Sequence, residues 1–327
     1  MQTRTLLAGV MGGLLVAGGA AAQGLELNFG TVNDPGGMQY LSAEEWAKRV
    51  NEALGGEAEV TVFGSSQLGT DTEMLQKLKL GTLDFSQPST VMSTVVPQFG
   101  LFDMPYLVKD RQHADCIAKE IIWPDLAPLV EEQGYKLIGV WENGFRQITN
   151  NVRPVNTPED LQGMKLRTPS GVWRVKMFQA YGANPTPMEV SELFVALQTG
   201  VVDGQENPYA NISSAKFNEV QRYLSETNHV YTPSFPVASL RRWESWPPEV
   251  QDAILKAGQE VQGWTYETAG KLDSDLRQEL IDAGMEFNEA DREAFFAASK
   301  PVYEQFAAEV EGGQELIDRA LALADGC

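Results

Sequence analysis

The chain has 327 residues, of which 45 are Asp or Glu and 25 are Lys or Arg, so its formal net charge is −20. A protein this acidic is repelled by nucleic acid and by anionic membrane surfaces, which excludes both as partners. The length exceeds what one hydrophobic core comfortably fills, and this predicts two domains.

Residues 1–22 have the order of a secretory signal. One cation, Arg4, precedes a run of Leu, Val, Ala and Gly that ends in three alanines. This order predicts cleavage near Gln23 and export, whereas an uncleaved membrane anchor is the alternative. The glycines and the alanine ending favour cleavage. Since no later apolar run is long enough to cross a bilayer, the mature protein is expected to be soluble.

The mature chain alternates strand and helix patterns. Strand patterns at 25–29 and 59–63 flank a helical pattern at 40–54. A Thr-Asp-Thr-Glu capping box at 70–73 then begins another helix, which Gly81 stops. Alternation of this kind predicts an α/β fold.

Two segments of the chain are similar to each other. Residues 74–84 match residues 193–203, and in each copy a helix stops at a glycine before a short apolar strand that ends in Asp84 or Asp203. Two copies indicate two similar lobes rather than a solenoid. The match alone is weak evidence, because helix–glycine–strand joints are common in α/β proteins.

The segment from Pro248 to about Ile281 has an unusually long helical pattern without a further proline. A helix of that length is roughly 50 Å long and could brace both lobes. Two helices broken at Gly258, Gly263 or Gly270 are the alternative.

The two cysteines, Cys116 and Cys327, are far apart in sequence. In an oxidising compartment they could form one disulfide that ties down the C-terminus. Two separate thiols are the alternative, and the sequence alone does not fix the pairing.

The sequence offers little for catalysis. His113 and His229 have no carboxylate or cysteine at metal-ligand spacing, and the mature chain lacks the common hydrolase, metalloprotease and nucleotide-binding motifs. We therefore expect no enzyme, no metal site and no cofactor.

Polar side chains instead follow predicted strands. Arg146 comes after the strand-like residues 136–141, Arg167 ends another such stretch, and Asn207 follows a strand predicted at 201–203. Ligands of open α/β folds sit beyond the carboxyl ends of the strands, and the planar fork of arginine matches a carboxylate. A structural salt bridge is the alternative for an isolated arginine, but three such groups favour a ligand.

Several long stretches of the chain carry a family resemblance. They are KLRTP at 165–169, ANPTPMEVSELFVALQTGVVDGQENP at 183–208 and KFNEVQRYLSETNH at 216–229, together with 62–86 and 145–167 upstream. The chain closely resembles the DctP-type substrate-binding proteins of tripartite ATP-independent periplasmic (TRAP) transporters over nearly its whole mature length.

The resemblance implies a periplasmic-binding-protein fold, in which two α/β lobes surround a cleft and are joined by crossing strands and a long helix. Its lobe I comprises 23–143 and 233–272, and its lobe II comprises 144–232 and 273–327. The implied partner is a two-part TRAP permease in the membrane, driven by an ion gradient.

The resemblance also implies roles for individual residues. Arg167 clamps the carboxylate of the ligand, Arg146 supplies a second contact and Asn207 orients the same end of the ligand. These roles agree with the positions of the three residues at strand exits.

Further cleft residues follow from the same resemblance. Ser89 faces the ligand from the other lobe, and its hydroxyl stands where some relatives carry an acid. Ser170 and Trp173 flank the arginine, although Trp173 could equally belong to the core. Val190 stands where some relatives have an aromatic residue, which leaves sugar acids in doubt.

Together these observations predict a monomeric periplasmic solute-binding protein that captures an organic acid through an arginine–carboxylate salt bridge and delivers it to a TRAP permease. The alternatives are a secreted enzyme that acts on an organic acid in the same cleft, and a sensor module. Sugar acids, small keto or hydroxy acids and aromatic acids all stay open as ligands.

Overall fold

The computed structural model describes residues 24–327, so the predicted signal segment lies outside the described residues. The strands are β1 Leu25–Gly30, β2 Ala58–Phe63, β3 Phe85–Ser86, β4 Tyr135–Leu137, β5 Trp141–Phe145, β6 Gln147–Asn150, β7 Lys165–Thr168, β8 Asn184–Pro187, β9 Gly204–Asn207, β10 Tyr223–Glu226, β11 Tyr231–Ser234, β12 Val237–Ser239 and β13 Glu286–Glu289. The α-helices are α1 Met38–Leu54, α2 Asp71–Leu80, α3 Arg111–Ile117, α4 Ala127–Glu132, α5 Val172–Ala180, α6 Val190–Gln198, α7 Tyr209–Ser214, α8 Leu240–Trp243, α9 Pro248–Asp282, α10 Arg292–Ala298, α11 Lys300–Glu309 and α12 Gly313–Ala322. A π-helical segment, Ala118–Leu126, connects α3 to α4, and short 3-10 helices occupy Thr90–Thr94, Pro97–Asp103, Pro158–Leu161 and Phe217–Glu219.

The strands form two mixed sheets and one separate pair. The first sheet has the order β2-β1-β3-β12-β4, and the second has the order β13-β10-β6-β9-β7-β8. In the first sheet β1 pairs parallel with β2 and β3, whereas β12 pairs antiparallel with β3 and β4. Each sheet with its covering helices makes one lobe, which confirms the predicted two-lobe α/β fold.

The antiparallel pair β5–β11 connects the lobes. β5 follows β4 of the first sheet and precedes β6 of the second, while β11 follows β10 of the second sheet and precedes β12 of the first. The chain therefore crosses between the lobes once in each direction along this pair. The residue boundaries of the lobes stay a prediction.

The first lobe is packed around a cluster of aromatic side chains. Trp46 on the buried face of α1 lies 5.3 Å from Phe29 and 4.9 Å from Phe85, measured between ring centroids. Its indole N–H donates to the carbonyl of Ile254 on α9 at 3.2 Å. Aromatic pairs at these separations add to the free energy that burial itself supplies, and the buried N–H has its partner.

The long helix is continuous, so the alternative of two helices broken at glycine is wrong. α9 has 35 residues, which corresponds to roughly 52 Å. Its first half packs against α1 and β5, and its later residues Ala269, Leu272 and Leu276 pack with Met38 and Ala210, which come from both lobes. The helix therefore braces the two lobes.

Gly258 lets α9 pack directly against the backbone between β4 and β5. A Cβ atom at this position would stand 1.8 Å from the carbonyl oxygen of Ile138, whereas a Cβ atom at Gly263 would meet no atom within 4 Å. We expect Gly258→Ala to lower the free energy of unfolding by about 1–3 kcal/mol, because backbone must shift to admit the methyl group. Gly263→Ala is the matched control and should be neutral or stabilising by up to ~1 kcal/mol through helix propensity. Equal melting temperatures for the two variants would contradict this close packing.

The predicted starts of two strands, β3 and β9, were wrong. The apolar residues before Asp84 and Asp203 form turns in which Leu83 and Val202 are buried, and β3 and β9 begin only after the two aspartates. The Asp84 carboxylate accepts the backbone N–H of Asn28 at 2.9 Å, and Asp203 accepts that of Lys165 at 2.8 Å. Each carboxylate therefore bonds to the backbone of a neighbouring strand at the point where regular strand pairing begins. The shared contact also shows that the two similar segments have the same local structure.

Two smaller predictions have definite outcomes. The capping box is confirmed, since the Thr70 hydroxyl accepts the backbone N–H of Glu73 and the Glu73 carboxylate accepts that of Thr70. Cys116 and Cys327 form a disulfide with a Cα–Cα distance of 5.6 Å, which ties the C-terminus to α3.

No helix within residues 24–327 combines the length and the hydrophobicity that a bilayer span requires.

Candidate binding cleft

A cavity of about 70 Å³ lies where the two lobes meet. Its walls come from the residues that end or follow β1, β3, β7, β8 and β9, so it occupies the crevice beyond the carboxyl ends of strands of both sheets. It adjoins a more open cavity of about 480 Å³, and the lining residues that the two cavities share are Val32, Asp34, Val190, Ser214, Ala215 and Phe217. The polar residues that line the smaller cavity are Asn33, Asp34, Gln39, Asp71, Ser89, Thr90, Asn143, Arg146, Arg167, Ser170, Glu189, Asn207, Asn211 and Ser214.

Arg167 is a buried guanidinium without an acidic partner. It is the third residue of β7 and is 4% exposed. Its Nε donates to the carbonyl of Met188 at 2.9 Å, but its terminal nitrogens have no acceptor among residues 24–327. Burial lowers the pKa of the guanidinium to about 10, with Glu206 opposing, so it stays charged at neutral pH. The cavity therefore contains a fixed positive charge that forms no direct ion pair with any acid of residues 24–327.

Arg146 also lines the cavity, but the protein's own Glu206 pairs with it. Its Nε and Nη2 contact the Glu206 carboxylate, and Nη2 also donates to Oδ1 of Asn207 at 3.0 Å. Its Nη1 has no acceptor within the described residues. Arg146 is thus fixed by two residues of β9, and one nitrogen is left for a ligand.

Glu206 is the centre of a buried network of charges beneath the cavity. Its carboxylate also accepts Nη1 of Arg174 at 2.7 Å, and Arg174 in turn donates to Asp103 at 2.7 Å. Burial alone would raise the pKa of Glu206, but the guanidinium groups of Arg146 and Arg174 outweigh it and hold the pKa well below the usual range. The network has two cations and two anions, so it balances without Arg167.

His229 also contacts Glu206 and so belongs to this buried network. Its Nε2 lies 3.2 Å from the Glu206 carboxylate and its Nδ1 lies 2.8 Å from the Thr227 hydroxyl. Burial lowers the pKa of the imidazole to about 4, with Glu206 opposing, so His229 is neutral at pH 7. It does not line the cavity. His113 lies elsewhere and contacts the carbonyl of Ala320 at 2.7 Å.

A chain of amides continues from Asn207 across the cleft. Asn211 donates to Asn143 at 3.0 Å, and Asn33 donates to Asn211 at 2.7 Å. Each amide both donates and accepts, so this wall can contact hydroxyl or carbonyl groups of a ligand. Asn33, Asn143 and Asn211 were not among the predicted site residues, because nothing in the sequence distinguishes them from asparagines in turns.

Of the other residues that the sequence analysis placed in or beside the cleft, three line the cavity and one does not. Ser89 and Ser170 line the cavity, as does Val190. The Ser89 hydroxyl donates to the carbonyl of Pro233 on the crossing strand at 2.7 Å. Trp173 does not line the cavity. It is buried against Phe306 with a centroid distance of 5.1 Å, so the structure places it in the core.

Carboxylates form a part of the cleft that the sequence did not reveal. Asp71, the first residue of α2, and Glu189, which precedes α6, both line the cavity. The pKa of Asp71 is raised to about 7, chiefly by burial and also by the charge of Glu189, while Arg167 opposes the shift. The cavity is therefore lined by carboxyl groups as well as by the guanidinium groups of Arg146 and Arg167. Within residues 24–327 no group of three or more His, Cys, Asp or Glu could hold a metal ion.

The sequence matches a known family model over residues 29–309. Its description is "Bacterial extracellular solute-binding protein, family 7", with the family name DctP. Among curated proteins, the 2,3-diketo-L-gulonate-binding periplasmic protein YiaO of Escherichia coli is 33% identical over 298 residues, which cover 89% of this chain and 90% of that protein.

Solved structures of TRAP periplasmic solute-binding proteins are similar to this chain over most of its length. One from a Polaromonas species, bound to D-erythronate, has a TM-score of 0.87 and 32% identity and covers 91% of this chain and 98% of that one. Another from Sulfurospirillum deleyianum, with bound succinate, has a TM-score of 0.86 and 31% identity and covers the same shares.

Proposed function

Because the chain belongs to the DctP family of bacterial extracellular solute-binding proteins, we propose that it is a periplasmic receptor for a small organic acid. The acid binds in the cleft between the lobes and is delivered to the membrane subunits of a TRAP-type permease. The two solved relatives are TRAP periplasmic solute-binding proteins that hold organic acids, D-erythronate in one and succinate in the other.

The observation that carries this proposal is the unpaired guanidinium of Arg167. A buried charge without a direct partner is costly, and Arg167 forms no salt bridge with any acid of residues 24–327, although Asp71 and Glu189 line the same cavity. A ligand carboxylate fits the fork of the guanidinium with two parallel hydrogen bonds. Such a charge-assisted contact contributes about 2–3 kcal/mol net, so the amides and the burial of the ligand must supply the rest.

The surroundings of Arg167 are suited to holding a carboxylate in one orientation. Glu206 fixes Arg146, which lines the cavity. Asn207 is fixed by Arg146 and by Gln205, to which it donates at 2.6 Å. Preorganised donors lose little entropy when the ligand arrives.

Closure of the lobes would complete the site. The walls of the cavity belong to both lobes, and the crossing strands with α9 are the connections about which the lobes can move. Closing over an acid excludes water and strengthens its attraction to Arg167. The closed form then presents to the permease a surface that the open form lacks.

A thermal-shift screen tests the proposed function. The purified mature protein is heated with organic acids, each paired with its neutral amide or alcohol analogue. A ligand at 100 times its Kd stabilises the native state by about 2.7 kcal/mol. We expect an acid to raise the melting temperature while its neutral analogue does not. Stabilisation by neutral or cationic compounds alone would contradict the proposal.

The same samples separate binding from turnover. After incubation the stabilising acid is recovered and analysed, and the proposal expects it unaltered and in stoichiometric amount. Conversion of the acid to a product would instead support a secreted enzyme.

A further inference from the structure

The C-terminal segment, residues 291–327, begins on the second lobe. It follows β13 of the second sheet and contains α10, α11 and α12. α11 packs against α5 of that lobe, where the rings of Phe306 and Trp173 lie 5.1 Å apart between centroids. The hydroxyls of Ser299 and Tyr181 lie 2.7 Å apart and are both buried. The first part of the segment is therefore part of the second lobe.

The end of the same segment lies on the first lobe. α3, the π-helical segment and α4 run without a break into β4 of the first sheet, and α4 packs against β4. Nε2 of His113 on α3 lies 2.7 Å from the carbonyl oxygen of Ala320 on α12. Beyond α12, Cys327 forms the disulfide with Cys116 of α3. The C-terminal segment therefore links the lobes in addition to the crossing strands and α9.

α3 also contacts both of those other connections. At its first residue, Arg111 donates to the carboxylate of Glu142 on β5 at 2.7 and 2.8 Å and to Asp273 on α9 at 2.5 Å. One turn later, Asp115 accepts a hydrogen bond from Gln262 of α9 at 2.9 Å. The crossing strand, the long helix and the C-terminal segment therefore meet at one helix of seven residues.

The disulfide is the contact of this group that cannot lengthen. It holds the two Cα atoms 5.6 Å apart, and any disulfide keeps this distance below about 7 Å. By contrast, the ion pair of Arg319 on α12 with Asp125 is about 40% exposed on each side, so it can break at little cost. Neither α3 nor residues 291–327 line the two cavities of the cleft. The disulfide therefore restrains the connection between the lobes without touching a ligand.

We propose that the Cys116–Cys327 disulfide is a clasp that limits how far the cleft opens. While the bond is intact, α12 stays on α3 and the lobes turn through a small range of angles. Without the bond, α12 separates from α3 and the unliganded cleft opens more widely. A narrow range of open states reduces the entropy that is lost when the lobes close on a ligand. The inference rests on the lobe movement of the proposed function, but it concerns the unliganded protein.

Distances between two spin labels across the unliganded cleft test the clasp. The labels are attached through Gln76→Cys on α2 and Val195→Cys on α6, at exposed positions of helices whose first residues line the smaller cavity. Distances are measured with the disulfide intact and in a protein that also carries Cys116→Ala and Cys327→Ala. We expect a longer mean distance and a broader distribution without the disulfide. Identical distributions overturn the clasp, whereas acid binding is judged separately by the thermal-shift screen.

A control variant distinguishes the covalent bond from the packing around it. Arg319→Gln removes the contacts of α12 to Asp125 and to the carbonyl of Glu120 but leaves the disulfide in place. Its distance distribution should match that of the unaltered protein. If Arg319→Gln broadens the distribution as much as loss of both cysteines does, the non-covalent contacts hold the lobes and the inference fails.

Hydrogen exchange separates a clasp from general stabilisation of the fold. Exchange of the backbone amides of α12 and α5 is followed by mass spectrometry with and without the disulfide. We expect exchange in α12 to become at least about 10-fold faster without the bond, while α5 changes little. Equal acceleration in both helices, or loss of protection throughout the chain, would mean that the disulfide stabilises the whole fold, and this result overturns the clasp.

Discussion

Arg167→Ala is expected to weaken binding of the captured acid by roughly 30-fold to several thousand-fold. The variant removes one partner of a buried charge pair that forms between the protein and its ligand, and such truncations cost about 2–5 kcal/mol. Arg146 cannot replace it, because Glu206 and Asn207 already occupy two of its nitrogens.

The same substitution should leave the protein folded. Arg167 has no salt bridge to an acid within residues 24–327, and its one protein hydrogen bond is to the carbonyl of Met188. Losing that bond costs about 1 kcal/mol, which relief of an unpaired buried charge offsets. Titration calorimetry and thermal melts measure the two effects separately. Arg167→Lys, which keeps the charge but loses the planar fork, should fall between wild type and alanine in affinity. Wild-type affinity in Arg167→Ala would remove Arg167 from the site.

Glu206→Gln is expected to lower folding stability strongly, whereas Arg167→Ala mainly lowers ligand affinity. Glu206 has no exposed side-chain surface and pairs with both Arg146 and Arg174. Neutralising it leaves two buried guanidinium groups with Asp103 as their remaining partner, and breaking a buried pair in this way costs about 3–5 kcal/mol. Binding should weaken as well, because Arg146 loses the contact that orients it.

The pH dependence of the melting temperature of Glu206→Gln tests whether the lost charge of Glu206 causes the loss of stability. The pKa of Glu206 is lower in the folded protein than in the unfolded chain, so its contribution to stability is present above the unfolded pKa and is lost as pH falls through the folded value. The gap in melting temperature between wild type and Glu206→Gln should therefore persist from pH 8 to pH 5 and narrow only in stronger acid. Glu286→Gln is the control, since its pair with Arg222 is exposed to solvent and contributes little to stability. Similar melting temperatures for the two variants would contradict the central place of Glu206.

The parts of the structure that the sequence predicted have local causes. The capping box at Thr70, the uninterrupted pattern of α9 and the order of strands and helices depend on residues close in sequence. The position of Arg167 at the cavity was predictable because it ends a strand-like segment in a strongly acidic chain, and because its surroundings resemble a family motif.

The parts that the sequence missed depend on contacts between distant residues. Glu206 is one of 45 acids in the chain, and only the fold places it between Arg146 and Arg174. Asp71 has the pattern of an ordinary first-turn acid, yet the meeting of the lobes puts it in the cavity with Arg167. Trp173 follows the cleft residues in sequence, but its turn of α5 faces Phe306 and the core. Strand starts at β3 and β9 were misplaced because Asp84 and Asp203 bond to backbone that lies far away in the chain.

The most direct test of the central claim is a thermodynamic cycle between ligand and receptor. The stabilising acid and its primary amide are each titrated by calorimetry into the wild-type protein and into Arg167→Ala. If Arg167 holds the carboxylate, the acid binds far more tightly than the amide in the wild type, and this difference largely disappears in the variant. If the variant still prefers the acid by the wild-type margin, the carboxylate binds elsewhere and Arg167 is not its partner.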